Sequence, residues 1–204
     1  MKHGLIIFFL SLFSVSAMAD VSQARSIFQQ LAHTPTIRAH FEQQKTMTSL
    51  NRTFTSQGDV LFSQQYGVLW QIKKPVQADL IVTERKLIQK TKRTMSEMNV
   101  KQSEYGSIAT LFLQLMAGDE ETLVKNFNLM SVEKNNAHWK IQLTPKHALF
   151  KKLFDQVDMQ GGQYLDHIVL HEKAGNSTTI RFSQQSAQPQ QLNVQEYALF
   201  QLAK

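Results

Sequence analysis

The chain has 204 residues, with 22 lysines and arginines against 16 aspartates and glutamates, giving a net charge of +6. It contains no cysteine, which excludes disulfides, thiolate metal sites, a cysteine nucleophile and a lipid-modified cysteine. The length suits one domain with a substantial core, and the chain shows no repeat, low-complexity block or linker.

The first residues carry an address. Lys2 and His3 precede the apolar run "LIIFFLSLF" and then "SVSAMAD", in which Ala17 and Ala19 flank Met18. A basic start, an apolar stretch too short to span a bilayer and an A-x-A site predict a cleavable secretory signal over 1–19, cut between Ala19 and Asp20. The mature chain is then one exported, soluble domain over 20–204. Removing the leader takes away Lys2 and no acid, so the net charge stays positive, a balance that favours anionic surfaces weakly and in a salt-sensitive way.

In "DVSQARSIFQQLAH", Ile27, Phe28 and Leu31 fall at helical spacing, with Asp20 or Ser22 as candidate caps and Pro35 just past the end. Five strand-like segments follow: Thr36–Met47, Arg52–Phe62, Tyr66–Lys73, Ala78–Thr83 and Lys86–Lys92. Their separators are short, which favours antiparallel neighbours over crossovers. Beyond Gln102 the period changes, and Ile108, Leu111, Phe112, Leu115 and Met116 form a helical stripe. Gly118 is a stop, and Asp119 is a cap for a second, shorter helix with Leu123, Val124 and Phe127 on its apolar side. Strands resume at Asn128–Glu133, at "AHWKIQLTP", and over Phe150–Met159, Tyr164–Glu172 and Ser177–Gln184. Gly161-Gly162 and "AGNS" over Ala174–Ser177 are read as supplying the positive-φ residues of hairpins. Asn193 and Glu196 form a capping box before a last short helix.

Helix, about five strands, a helical insertion, about five more strands and a short helix predict an α+β fold. A meander of 10–11 strands curls instead of staying flat, giving an incomplete antiparallel β-barrel, and the apolar stripe of the insertion closes its open end as a lid. Alternation points Val60, Phe62, Val68, Trp70, Ile72, Leu80, Val82, Trp139, Ile141 and Leu143 inward. Periodicity alone does not separate a packed core from the wall of a hydrophobic cavity. The space a curled sheet of this size encloses, and the adaptable Met116 in the lid, favour the cavity.

Several stretches resemble one family. "IRAHFEQQK", "QGDVLFSQQYGVLWQIKKP" and "LIVTERKLI" are similar to the start of the periplasmic lipoprotein carriers of the LolA type. The shared features are a Phe-Gln-rich first strand (Phe41, Gln43, Gln44, Lys45), a second strand with Gly58, Val60 and Phe62, and a third with Trp70 followed by Pro75. "AHWKIQLTPK" and "YLDHIVLHEKAGNSTTIRFS" match the order of the later strands. The resemblance implies a periplasmic protein, a monomer and not an enzyme, whose cavity takes the acyl chains of a lipoprotein or lipid cargo. That cavity adds Phe41 to the residues above. It also implies an inner-membrane donor complex and an outer-membrane acceptor.

Two departures stand out. Where the family has an arginine-proline pair that helps hold the lid shut, this chain has Gln64 and Gln65, and the glycine turn between the fourth and fifth strands is replaced by Thr83, Glu84 and Arg85. The ending "NVQEYALFQLAK" looks like a divergent branch, with members associated with envelope glycolipid or aryl-polyene systems. Gln64 is therefore the candidate lid contact.

Other chemistry has little support. His167 and His171, or His40 and Glu42, share strand faces without a third ligand at convincing spacing, so no metal or cofactor is expected. No G-x-S-x-G elbow, glycine-rich phosphate loop or aromatic-basic nucleic-acid platform occurs. Lys73-Lys74 and "KLIQKTKR" form a basic region, read either as a solvated edge or as a contact for an acidic membrane partner. The alternative from another class is an envelope scaffold with a filled barrel that binds a protein partner and carries no lipid.

Overall fold

The computed structural model describes residues 16–100 and 118–203. Helix α1 (Ser16–Ala32) leads into β1 (Thr36–Met47), a 3-10 turn (Thr48–Leu50), β2 (Arg52–Ser63), β3 (Gly67–Lys74), β4 (Ala78–Val82), β5 (Lys86–Thr91) and β6 (Met95–Asn99). Then come α2 (Glu120–Asn126), β7 (Phe127–Lys134), β8 (Trp139–Pro145), α3 (Ala148–Leu153), β9 (Phe154–Gly161), β10 (Leu165–Glu172), β11 (Ser177–Ser186) and α4 (Val194–Gln201). Among the described residues, no helix is long and apolar enough to cross a membrane.

The strands form one 11-stranded sheet in the order β6-β5-β4-β3-β2-β1-β11-β10-β9-β8-β7, with β1 pairing β11 at its centre. Every paired neighbour is antiparallel, and β6 and β7 remain at opposite edges, so the barrel is incomplete. Its curvature follows from packing. Ala24, Ile27, Phe28 and Leu31 of α1 share a single core with Phe41, Phe62 and Val68 from one wing and Trp139, Ile141 and Leu143 from the other. A flat sheet of this width cannot bring both wings onto one helix. Each of the buried Val, Leu, Ile and Phe side chains among them contributes about 1.5–3 kcal/mol relative to exposure.

Gly58 shows how tightly the central strands are laid. A bulge falls between Gln57 and Gly58, and a Cβ at Gly58 would stand 1.8 Å from the Gln71 carbonyl oxygen and 3.0 Å from the Phe41 ring. Phe41 is the cross-strand partner of Gly58 and lies over the space the missing side chain leaves, which sets its ring against Trp70. Gly118 is likewise fixed by a close approach, since a Cβ there would meet the Phe28 carbonyl oxygen at 2.2 Å.

The convex face of β2–β5 is covered by the C-terminus. Leu61, Leu69, Ile81 and Ile88 pack with Phe200 and Ala203, assisted by Tyr66, Leu192 and Leu199. The expected capping box forms: the Asn193 side-chain oxygen accepts from the Glu196 backbone N–H, and the Glu196 carboxylate accepts from the Asn193 N–H, each at 2.8 Å. The same carboxylate receives Arg38 of β1 through Nε at 3.0 Å and Nη2 at 2.8 Å. Arg38 also donates to the carbonyls of Pro189 and Gln191, so one guanidinium ties the segment before α4 to the sheet.

Several sequence expectations are corrected. The first half holds six strands, because "MSEMN" adds β6 to the edge. The stretch Phe150–Leu153 belongs to α3, and its strand starts at Phe154; the three rings Phe127, Phe150 and Phe154 stack there. Phe127 opens β7 instead of closing the preceding helix. Helix α1 is already formed at Ser16, the first described residue, which leaves Asp20 and Ser22 inside it instead of at its cap. Ala174 and Gly175 do adopt positive φ, but Gly161 and Gly162 do not. Gly161 is needed for closeness: a Cβ would stand 2.0 Å from the Tyr164 carbonyl oxygen.

Two measurements test this frame. Gly58→Ala forces β2 and β3 apart, so urea denaturation is expected to show a loss of about 2 kcal/mol; an unchanged midpoint contradicts the close approach. Burial works against the charged form of Glu196, but the Arg38 guanidinium and the Asn193 N–H outweigh it and hold the carboxyl below its ordinary value of 4.5. Its contribution is therefore complete above that value and disappears as pH falls through the lowered folded-state value. Glu196→Gln is expected to cost about 2 kcal/mol at pH 7 and little at pH 2. An equal cost at both pH values contradicts the pairing.

Candidate functional site

The register places the sequence-predicted wall residues on one face. On one wing, Ala39, Val60, Trp70 and Leu80 line up across β1–β4, as do Ile37, Phe62, Val68 and Val82, while Phe41 leads through Gly58 to Ile72. On the other, Ile180, Ile168, Met159, Ile141 and Val132 cross β11–β7. The Phe41–Phe182 pair joins the wings at the centre. Successive strand residues point to opposite sides, so these rows share the concave face.

Burial is uneven across that face, and Leu129 and Leu170 on one wing, like Trp70 and Ile72 on the other, are only half-buried. Trp139, Ile141 and Leu143 are buried in the same core as α1, and Ile141 and Leu143 have no accessible surface. Helix α1 is tied over this wing by polar contacts at its margin. The Gln30 side-chain amide donates to the carbonyls of Gly162 at 2.7 Å and Gln163 at 3.0 Å, and Lys134 donates to the Ser26 hydroxyl at 2.8 Å. The Trp139 indole N–H meets the same Gly162 carbonyl at 2.8 Å. Across the sheet, Trp70, Ile72 and Leu80 are only half-buried. Val82 is buried in a separate cluster with Leu87 and Val100, against Met98.

The half-buried band has an aromatic floor. Phe41 and Trp70 lie with ring centroids 4.2 Å apart, and Phe182 meets Trp70 edge-on at 6.1 Å. Such a surface is large, apolar and fixed in orientation, which suits it to bind hydrocarbon without recognising a particular group. One polar cluster interrupts the concave face. Lys45 reaches both Glu172 carboxylate oxygens at 3.0 and 3.2 Å, and the buried Thr178 hydroxyl donates to the same carboxylate at 2.5 Å. Sequence reading missed this cluster, because Lys45 and Glu172 are 127 positions apart.

The expected lid residues Ile108, Leu111, Phe112, Leu115 and Met116 lie outside the described residues. Gln64 stands at the end of α1: its side-chain amide donates to the Ala32 carbonyl at 2.7 Å, and its backbone N–H to Pro35 at 2.9 Å. It therefore links the β2–β3 turn to the C-terminus of the helix that packs into the concavity.

The three strand histidines, His40, His167 and His171, belong to the convex face. His171 bonds Asp158 at 2.7 Å, His167 bonds Gln160 at 2.9 Å, and His40 pairs with Asp59, whose carboxylate also takes Lys73. Burial opposes charge on Asp59, but Lys73 and His40 together hold it below the ordinary carboxylate range. Glu42 instead accepts from Gln44 and Gln57. Among the described residues, no three histidine or carboxylate side chains converge on a cation site.

Comparison with known structures places this geometry. A domain from Vibrio parahaemolyticus described as an outer membrane lipoprotein-sorting protein superposes with a TM-score of 0.50 at 9% identity, covering 93% of this chain and 100% of that one. A LolA superfamily protein from Nitrosomonas europaea gives a TM-score of 0.43 at 11% identity over 80% of this chain and 92% of that one. Lipoprotein LppX from Mycobacterium tuberculosis gives 0.45 at 13% identity over 88% and 100% of the two chains. No curated protein matches the chain in sequence. The family model described as outer membrane lipoprotein carrier protein LolA matches residues 32–196, and the chain belongs to the LolA family.

Proposed function

We propose that this chain is an exported, non-enzymatic carrier. After loss of residues 1–19 it would shield the acyl chains of a lipoprotein or lipid within its concave face and move that cargo toward the outer membrane. Membership of the LolA family supports this reading. The observation that carries it is the half-buried band of Trp70, Ile72 and Leu80, which α1 leaves partly accessible on the concave face. Phe41, Val60, Phe62, Val68 and Val82 back this band, and Trp139, Ile141 and Leu143 join the lining where α1 gives way.

Energy limits the mechanism at release, not at capture. Each methylene removed from water is worth about 0.8 kcal/mol, so one long acyl chain gains on the order of 10 kcal/mol. A carrier that holds so tightly needs a cover whose closed state is only slightly preferred, so that a donor or acceptor at the membrane can tip it. The stripe from Ile108 to Met116 is the proposed cover. Gln64, a neutral donor where relatives of this type have arginine, makes closure weaker, because charge-assisted hydrogen bonds are the stronger ones.

The second reading, a scaffold with a filled interior, draws on the packing of Ile141 and Leu143 under α1. Organic extraction of protein purified without detergent separates the two. Stoichiometric acyl species support the carrier, and lipid-free protein that also fails to take up a fluorescent fatty acid supports the scaffold. Leu80→Asp is expected to weaken fatty-acid binding by about tenfold or more while leaving the far-ultraviolet spectrum unchanged; full retention of binding removes the band from the site. Gln64→Arg is expected to slow acyl release about tenfold, and an unchanged release rate removes Gln64 from control of the cover.

A further inference from the structure

Antiparallel pairing brings the 3-10 turn after β1, the β3–β4 turn and the β5–β6 turn to the same end of the sheet. Each presents a large apolar side chain to solvent. Leu50 and Phe54 are 54% and 49% exposed at the first turn, Val76 is 70% exposed at the second, and Met95 is 60% exposed at the third. Each also carries cations: Arg52 beside the first pair, Lys74 beside Val76, and Lys92 and Arg93 beside Met95. No aspartate or glutamate occurs in Gln43–Gln57, Gly67–Ala78 or Arg85–Ser96. Among the described residues, these four cations make no ion pair, whereas Lys73 is held by Asp59 on the convex face.

The first and third turns are held in place. The Thr48 backbone N–H donates to the Asn176 side chain at 2.9 Å and its hydroxyl to the Gly175 carbonyl at 2.7 Å, which ties the first turn to the β10–β11 turn. In the third, the Thr91 hydroxyl accepts from the N–H groups of Arg93 at 3.2 Å and Thr94 at 3.0 Å. Exposing an apolar group on each of three turns, two of them braced, gains nothing for the isolated fold.

We propose that this end of the sheet docks on an anionic lipid bilayer, with Leu50, Phe54, Val76 and Met95 entering the interfacial layer and the neighbouring cations meeting lipid phosphates. The pattern selects a bilayer over a protein partner. Protein interfaces gather their apolar groups into one desolvated core and are poor in lysine. Here the apolar groups stand apart, one turn from the next, each among cations, which is the arrangement that binds an anionic interface. This docking is independent of whether the concave face holds lipid.

The test is cosedimentation with vesicles of phosphatidylcholine alone and of phosphatidylcholine with about one-third phosphatidylglycerol, in low and high salt. The wild-type chain is expected to bind the anionic vesicles, to release them in high salt and to leave the neutral ones in solution. The double variants Val76→Asp/Met95→Asp and Lys74→Glu/Arg93→Glu are each expected to lose affinity about tenfold or more. All four positions are solvent-facing, so both variants should keep the wild-type circular dichroism spectrum and fatty-acid binding, which separates docking from cargo. Absence of wild-type binding to anionic vesicles, including the case in which this end meets only a soluble acidic protein, overturns the proposal. So does wild-type-like binding by both variants.

Discussion

The structure depends on one constraint: an open antiparallel sheet must bury an apolar concave face that its own curvature does not close. Helix α1 meets part of that demand, bringing Ile27, Phe28 and Leu31 against Trp139, Ile141 and Leu143. It does not cover both wings equally. Among the described residues, α1 and Phe150 of α3 pack onto this face and leave Trp70, Ile72 and Leu80 partly accessible, which is where an added hydrocarbon gains most. The same geometry explains why Gly58 lies where it does. The Phe41 ring must sit directly over a neighbouring strand to reach Trp70, and only a residue without a side chain leaves it room.

The convex face is stabilised by separate means. Arg38, Glu196 and Asn193 anchor the C-terminal helix through charge-assisted bonds, and Phe200 fills the space above Leu61 and Leu69. Because this clamp lies on the opposite side from α1, the outer layer can remain fixed while the inner one changes. A fold built this way can alter the contents of its concavity without losing the packing that defines the β2–β5 wing.

Much of this was legible in the chain. Val60–Phe62 and Val68–Ile72 alternate cleanly, and in a sheet with period two that alternation leaves little freedom of register. The Asn193–Glu196 box is a local device and was equally plain. What local patterns concealed was decided at long range. "MSEMN" is too polar to read as a strand, and becomes one because β5 offers it an edge. Phe150 to Leu153 has strand-like composition but turns helical at the β8–β9 corner, where Phe150 completes a stack with Phe127 and Phe154. Lys45 finds Glu172 only once both wings are assembled. One missed signal was present: "VLF", "VLW" and "LIV" are unbroken apolar runs, which mark strands buried on both faces and so call for a cover like α4.

The chain has two tryptophans, and they occupy the two halves of the concave face, Trp70 in the half-buried band and Trp139 sealed beneath α1. Quenching of single-tryptophan variants, Trp139→Phe and Trp70→Phe, by a brominated fatty acid therefore reads the position of a bound chain directly. The account predicts saturable quenching of Trp70 with little effect on Trp139 at low occupancy. Absence of saturable quenching at Trp70 would contradict the claim that this face holds acyl chains.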